Sequence, residues 1–198
     1  MSPPHLWVLA GGNGSGKSTF FETRLKQHGI AFVNADLIQR AMFKGLGPEA
    51  SYSAAKLAGK MRDKLLEERR SFCFETVFSH ASKIDFIAKA KSLGYKITLV
   101  YIHLSDDNLN LARVAGRVST GGHHVPDDKV LSRIPRVLQL MQTALQIVDS
   151  AYLLDNSSAD NPYQVVARIN AGKPEAKVEP LPAWAQTMLQ HGPAKDAP

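Results

Sequence analysis

The sequence predicts a three-layer α/β fold, an about five-stranded and mainly parallel sheet with helices on both faces, and three observations predict it. Short apolar runs alternate with longer segments of helical spacing, and a glycine-rich stretch joins the first strand to the first helix. A length of 198 residues suits one domain rather than two with separate full-sized cores.

The strands are expected at 6–10, 31–33, 71–75, 96–104 and 151–154, each short, mostly apolar and rich in β-branched or aromatic residues. Helical spacing marks 17–28, 53–70, 81–93, 107–119 and 127–147 between them. Alternation of this kind is the pattern of a parallel sheet covered by helices. In 53–70 the apolar positions Ala54, Leu57, Ala58, Met61 and Leu65 recur every three or four residues, whereas Lys56, Lys60, Arg62 and Lys64 fall mostly elsewhere. One buried and one solvated face are therefore expected. The charge run 67–70 reads as a solvated helix end. From 171 onward Gly172, Pro174, Pro180, Pro182, Pro193 and Pro198 lie among alanines and charges. A domain over 1–170, with a Pro/Ala-rich C-terminal extension at 171–198, is the expected organisation. Trp184, Met188 and Leu189 could pack a short helix of that extension back on the body.

An apolar fraction of 44% can supply a buried core and lies outside the range of disordered chains. The formal charge of +6 fits nucleic acid, a membrane surface or a phosphorylated ligand. Basic residues are spread along the chain, with no tail-like run and no interleaving with aromatics, so nucleic acid is disfavoured and a phosphorylated ligand preferred. No apolar window approaches the length of a membrane span, and no membrane partner is expected. The lone Cys73 cannot form an internal disulfide and residues 1–5 lack a secretory pattern, so a cytoplasmic chain is expected.

Gly11, Gly12, Asn13, Gly14, Ser15, Gly16, Lys17 and Ser18 fit G-x-x-x-x-G-K-[ST] in the required context, after an apolar strand and at the start of a helix. Glycines let the backbone curl so that its N–H groups face phosphate oxygens, and the helix adds its positive end. Lys17 is expected on the β- and γ-phosphates of ATP, Ser18 on Mg²⁺ and Thr19 on the α-phosphate. A dinucleotide fingerprint is excluded because Lys17 stands where the third glycine belongs. The fold is thereby narrowed to a P-loop NTPase or kinase-like one.

Ligands of such sheets lie at the carboxyl ends of the strands, where two carboxylates occur. Asp36 follows the second strand and is either a helix N-cap or the base that takes the proton of an attacking hydroxyl. Glu75 closes the third strand beside Thr76. It is either a surface carboxylate or a substrate contact. Cys73 reads as core. Arg113 and Arg117, four apart, share one helix face, and after Gly121 and Gly122 come His123, Arg133 and Arg136. This suits a helical lid at about 106–140 whose arginines offset the charge of transfer, with solvated helix arginines as the alternative. Neighbouring His123 and His124 lack further ligands at zinc spacing. Asp155, Asn156 and Ser157 border the adenine or simply form a turn. No strand ends in a metal-binding Asp, so only Ser18 is assigned to the metal.

With the glycine loop, Val33-Asn34-Ala35-Asp36, Phe74-Glu75-Thr76, Arg113 to Arg117, Gly121 to Pro126 and Leu154-Asp155-Asn156-Ser157 in this order, the chain resembles the zeta toxin family of P-loop kinases over about residues 5–170. Its most specific shared part is Gly-Gly-His-x-Val-Pro with arginines on both sides. The resemblance implies phosphorylation of the 3′-hydroxyl of UDP-N-acetylglucosamine and a restraining antitoxin partner. It further implies Asp36 as base, Glu75 as substrate-binding acid, Lys17 and Ser18 on nucleotide and metal, and Arg113 and Arg117 in the lid. Two departures are the shorter chain and Asn34, where the family often carries Asp. The alternatives are kinases of another acceptor (a nucleoside, an antibiotic or an RNA 5′ end) and an ATP-binding regulatory module without transfer.

Overall fold

The computed structural model describes residues 2–43, 49–105 and 127–190, with 127–135 described by backbone alone. In chain order the elements are β1 (His5–Ala10), α1 (Lys17–Phe20), a π turn (Phe21–Leu25) and a 3₁₀ turn (Lys26–His28). They continue with β2 (Ala31–Val33), α2 (Ala35–Met42), α3 (Glu49–Glu67), β3 (Phe72–Thr76), α4 (Ser82–Ser92) and β4 (Lys96–His103). After the undescribed segment come α5 (Asp127–Leu145), β5 (Ser150–Asp155), β6 (Gln164–Asn170), β7 (Lys173–Ala176) and α6 (Ala183–Leu189). The sheet runs β2-β3-β1-β4-β5-β6-β7.

The five expected strands form the parallel part, with Val8 of β1 level with Phe74 of β3 and Leu99 of β4. The sheet is larger than expected, because β6 and β7 add two antiparallel strands to the edge of β5. β7 and α6 lie beyond residue 170, so part of 171–198 belongs to the sheet and core. Helix α2 is likewise additional to the segments of helical spacing. No helix among the described residues is long and apolar enough to cross a membrane.

Strand side chains alternate between faces. Phe72 and Phe74 enter the larger core with Leu6, Val8, Ile97 and Leu99, under α3, α4 and α5. Cys73 points to the other face with Leu9, Phe21, Val100 and Ile102, under the segment that follows the glycine loop. Burial pushes the Cys73 thiol well above its ordinary pKa, with the Glu75 charge adding to the effect, so this cysteine is core as expected. α3 buries Ala50, Ala54, Ala58, Leu65 and Leu66. Its stripe departs from the expected one at Met61, which is 40% exposed while Arg62 turns inward. α6 docks through Ala185 and Met188, and its Trp184 stacks on His103 of β4 at 4.3 Å between ring centroids.

Candidate active site

The glycine loop hangs from the end of the central strand β1. Gly11, Gly14 and Gly16 adopt positive φ values of 147°, 77° and 95°, which side chains rarely tolerate. At Gly16 a Cβ would come within 2.6 Å of Asn156 Nδ2 and 2.9 Å of the Tyr163 hydroxyl, so glycine is required there for space as well as for conformation. Those two groups brace the loop from β5 and β6. Asn156 Nδ2 donates to the Ser15 carbonyl at 2.9 Å and the Tyr163 hydroxyl to the Gly16 carbonyl at 2.9 Å. Asn156 in turn accepts from the Tyr163 N–H at 3.3 Å, and Tyr163 itself takes a positive φ of 59°.

The segment at Asp155, Asn156 and Ser157 therefore supports the loop and forms a turn. Asp155 accepts from the Ser157 N–H at 2.8 Å and from the Ser105 hydroxyl at 2.9 Å. Burial by itself would raise the Asp155 carboxyl, but these donors and the nearby His103 hold it below its ordinary value.

Inside the loop, the Lys17 ammonium is buried and donates to the carbonyls of Gly11 at 3.0 Å and Gly12 at 2.8 Å. Ser15 is 1% exposed and its hydroxyl has no hydrogen-bond partner, a buried polar group within the glycine loop. Ser18 follows in the first turn of α1, whereas Thr19 is exposed.

Glu75 leaves the end of β3 beside this turn. Its Oε2 accepts from the Ser18 hydroxyl at 2.6 Å and from Asn34 Nδ2 at 2.7 Å, and its Oε1 lies 3.8 Å from the Lys17 ammonium. Asn34 is 4% exposed and has a second task. Its Oδ1 accepts from the N–H groups of Asp36 at 2.8 Å and Leu37 at 3.2 Å, which makes Asn34 the N-cap of α2. The N-cap alternative for Asp36 is thus corrected: the cap is two residues earlier, and Asp36 sits in the first turn, where a carboxylate also complements the helix end.

A cavity of about 230 Å³ opens between these groups. It is lined by Asn13, Lys17, Asn34, Asp36, Glu75 and Thr76, closed by Ala55 and Ala58 of α3, and bounded by Arg62 and Lys83. Thr76 also accepts from the Phe78 N–H at 3.0 Å, fixing the chain as it leaves β3. The fold therefore brings together Asp36, Lys17, Ser18, Glu75 and Thr76. Arg113, Arg117 and His123 lie outside the described residues, as does the side chain of Arg133, and Arg136 is exposed on α5.

Arg62 and Lys83 were not legible as site residues. Helical spacing groups Arg62 with the solvated face, although it stands four residues after Ala58 and so continues the buried stripe. Lys83 offered one signal, a cation in the first turn of a helix, where the positive end disfavours it. Asn156 and Tyr163 are loop supports that no local pattern marks, since both meet the glycine loop only through the sheet.

Mg²⁺ of a P-loop is held by the loop's hydroxyl and an acid on a neighbouring strand. Ser18 and Glu75 supply that donor pair at one point, so the residues present fit the metal. Among the described residues no group of three or more His, Cys, Asp or Glu forms a metal cluster of the zinc kind.

In comparisons with known proteins, residues 6–141 match the AAA domain family (AAA_33). An uncharacterized protein of Haemophilus influenzae is 30% identical over 136 residues, which are 65% of this chain and 96% of the relative. Among solved structures, AvrRxo1-ORF1:-ORF2 with ATP is similar over 88% of this chain and 60% of that one, at 20% identity and a TM-score of 0.71. PezAT, the chromosomal toxin–antitoxin system of Streptococcus pneumoniae, is similar over 85% and 72%, at 15% identity and a TM-score of 0.62. This chain spans about three fifths of the length of the AvrRxo1 chain that it matches. At these identities the structural likeness speaks for the fold, which is a P-loop kinase-like α/β fold. With a sequence match over residues 6–141 and the glycine loop built as described, the chain belongs to the AAA domain family.

Proposed function

We propose that this protein is an ATP-dependent kinase of the zeta toxin type that phosphorylates a hydroxyl of a small molecule held in the 230 Å³ cavity. The observation that carries the reading is one cavity wall made of Asp36, Lys17 and Glu75, a carboxylate within the reach of an acceptor beside the phosphate loop. A bare nucleotide-binding module needs the loop but not such a cavity.

In this reading the loop amides and Lys17 hold the triphosphate of ATP, and Ser18 with Glu75 would hold Mg²⁺, which neutralises charge on the phosphates when bound. Asp36 accepts the proton of the attacking hydroxyl. A bond forms between the acceptor oxygen and the γ-phosphorus, the bond to the β-bridging oxygen breaks, and ADP leaves with that electron pair. Thr76 and Glu75 form one wall for the acceptor, and Asn34 fixes Glu75 and the first turn of α2 together. Arg113, Arg117, His123, Arg133 and Arg136 are the lid candidates. UDP-N-acetylglucosamine, through its 3′-hydroxyl, is the leading acceptor. A protein partner of the antitoxin type belongs to the same reading, supported by the description of PezAT as a toxin–antitoxin system.

The test is transfer from labelled ATP to a panel of acceptors, UDP-sugars first, with the wild type and Asp36→Asn. Loss of the base is expected to slow transfer by about 10² to 10⁴ while ATP affinity stays within about twofold. A variant that transfers phosphate at the wild-type rate would refute the assignment.

A further inference from the structure

We infer that Arg62 and Lys83 form an anion subsite in the acceptor cavity, shaped for a phosphate ester or diphosphate carried by the acceptor. This rests on the reading of that cavity as the acceptor site.

Both side chains line the same cavity as Asp36. Arg62 is half-buried in α3, with its guanidinium 5.2 Å above the Phe74 ring and 5.4 Å above Phe86. Its Nε is buried and has no hydrogen-bond partner. The Asp63 charge acts on Arg62, but two of the nearby acids have other partners. Asp63 pairs with Lys89 at 3.2 Å, and Glu75 is held by Ser18, Asn34 and Lys17. Among the described residues neither Arg62 nor Lys83 is paired with a carboxylate.

Burying two like charges side by side costs free energy unless an anion joins them. The Arg62 charge is felt in the titration of Lys83. Burial, and then the Arg62 charge, hold the Lys83 ammonium below its ordinary pKa, and burial also lowers Arg62. Lys83 stands in the first turn of α4. A guanidinium fork and an ammonium together match a phosphate's charge and several acceptor oxygens better than a single carboxylate. Packing supports the placement. Ala55 and Ala58 keep the wall of α3 low, and the Phe74 and Phe86 rings hold the Arg62 fork in place. An acceptor bound this way presents its hydroxyl at Asp36 and its phosphate at Arg62 and Lys83.

Calorimetry tests the subsite without transfer. The full chain is saturated with a non-hydrolysable ATP analogue and Mg²⁺, so that the glycine loop is filled, and is then titrated with inorganic phosphate or pyrophosphate. Wild type is expected to bind at least one of them, pyrophosphate more tightly if the native group is a diphosphate. Arg62→Met keeps apolar packing over the rings, and Lys83→Gln lies on a different helix. Each should weaken binding about tenfold or more, with Arg62→Lys partly restoring it and affinity for the ATP analogue unchanged. Absence of binding to the wild type, or equal affinity in both variants, overturns the subsite. In a second arm the KM for UDP-N-acetylglucosamine should rise in the same variants, with kcat within about threefold. The two readings fail separately. If anion binding is lost in the variants but no acceptor is phosphorylated, the subsite stands and the kinase assignment falls. If transfer depends on Asp36 but anions ignore Arg62 and Lys83, the reverse holds.

Discussion

Asn34 and Asn156 each use one amide to tie two elements together, and both acts concern the phosphate loop. Asn156 donates to the Ser15 carbonyl and accepts from Tyr163, so the loop is held from β5 and β6. Asn156→Ala leaves a buried carbonyl without its donor, which costs about 1–3 kcal/mol. We expect ATP binding about tenfold weaker by titration, with the fold otherwise kept, whereas Gly16→Ala should do worse because its Cβ meets the same amide at 2.6 Å. The consensus of the loop was readable in the sequence because it is local, its residues being contiguous. Its braces lie 141 and 147 residues away, a separation at which no spacing rule operates.

At the scale of elements, the junction of α4, β4 and β5 depends on Asp149, in the turn before β5. Its carboxylate accepts from the Ile97 N–H at 2.8 Å and pairs with Lys91 at 2.5 Å. Burial by itself would raise this carboxyl, but Lys91, the Ile97 N–H and Lys96 together hold it below its ordinary value. The native state therefore gains stability from the ionised form at pH values above the unfolded carboxyl's pKa. That gain is lost as pH falls through the lower, native one. Asp149→Asn should lower the melting temperature at pH 7 by a few degrees, and the gap to the wild type should narrow on acidification toward pH 3. A gap that is constant or widens would count against this role. Periodicity located the helices well wherever apolar spacing was the dominant signal, as in α4 and α5. It erred on α3 at Met61 and Arg62, because the cavity beside that helix accepts a cation at a position where a uniform core would demand an apolar residue.

The whole molecule places the site through strand order. β1 lies between β3 and β4, so the glycine loop emerges beside the end of β3, and α2 follows β2 on the same side. Ligand crevices form at such carboxyl edges. The remote edge has a different task. β7 pairs with β6, and α6 buries Ala185 and Met188 against the core. Ending the chain after Ala171 exposes that surface. Each large apolar side chain uncovered costs about 1.5–3 kcal/mol, so thermal unfolding should come about 5–15 °C lower. An unchanged melting temperature would return residues 172–190 to the status of a loose extension. These edge strands escaped the sequence reading because the apolar run of β6 is only Val165-Val166-Ala167 between polar residues and β7 is exposed throughout, which leaves little of the apolar run that marks a central strand.

By itself the sequence determined the α/β class, the five parallel strands and the phosphate loop, since each is written in contiguous residues whose spacing is set by backbone geometry. Only the tertiary structure decided that Glu75 meets Ser18, that Asn34 rather than Asp36 caps α2, and that Arg62 and Lys83 share a cavity with Asp36. Those facts depend on which strand lies next to which, and long-range adjacency is settled by how the sheet buries both its faces.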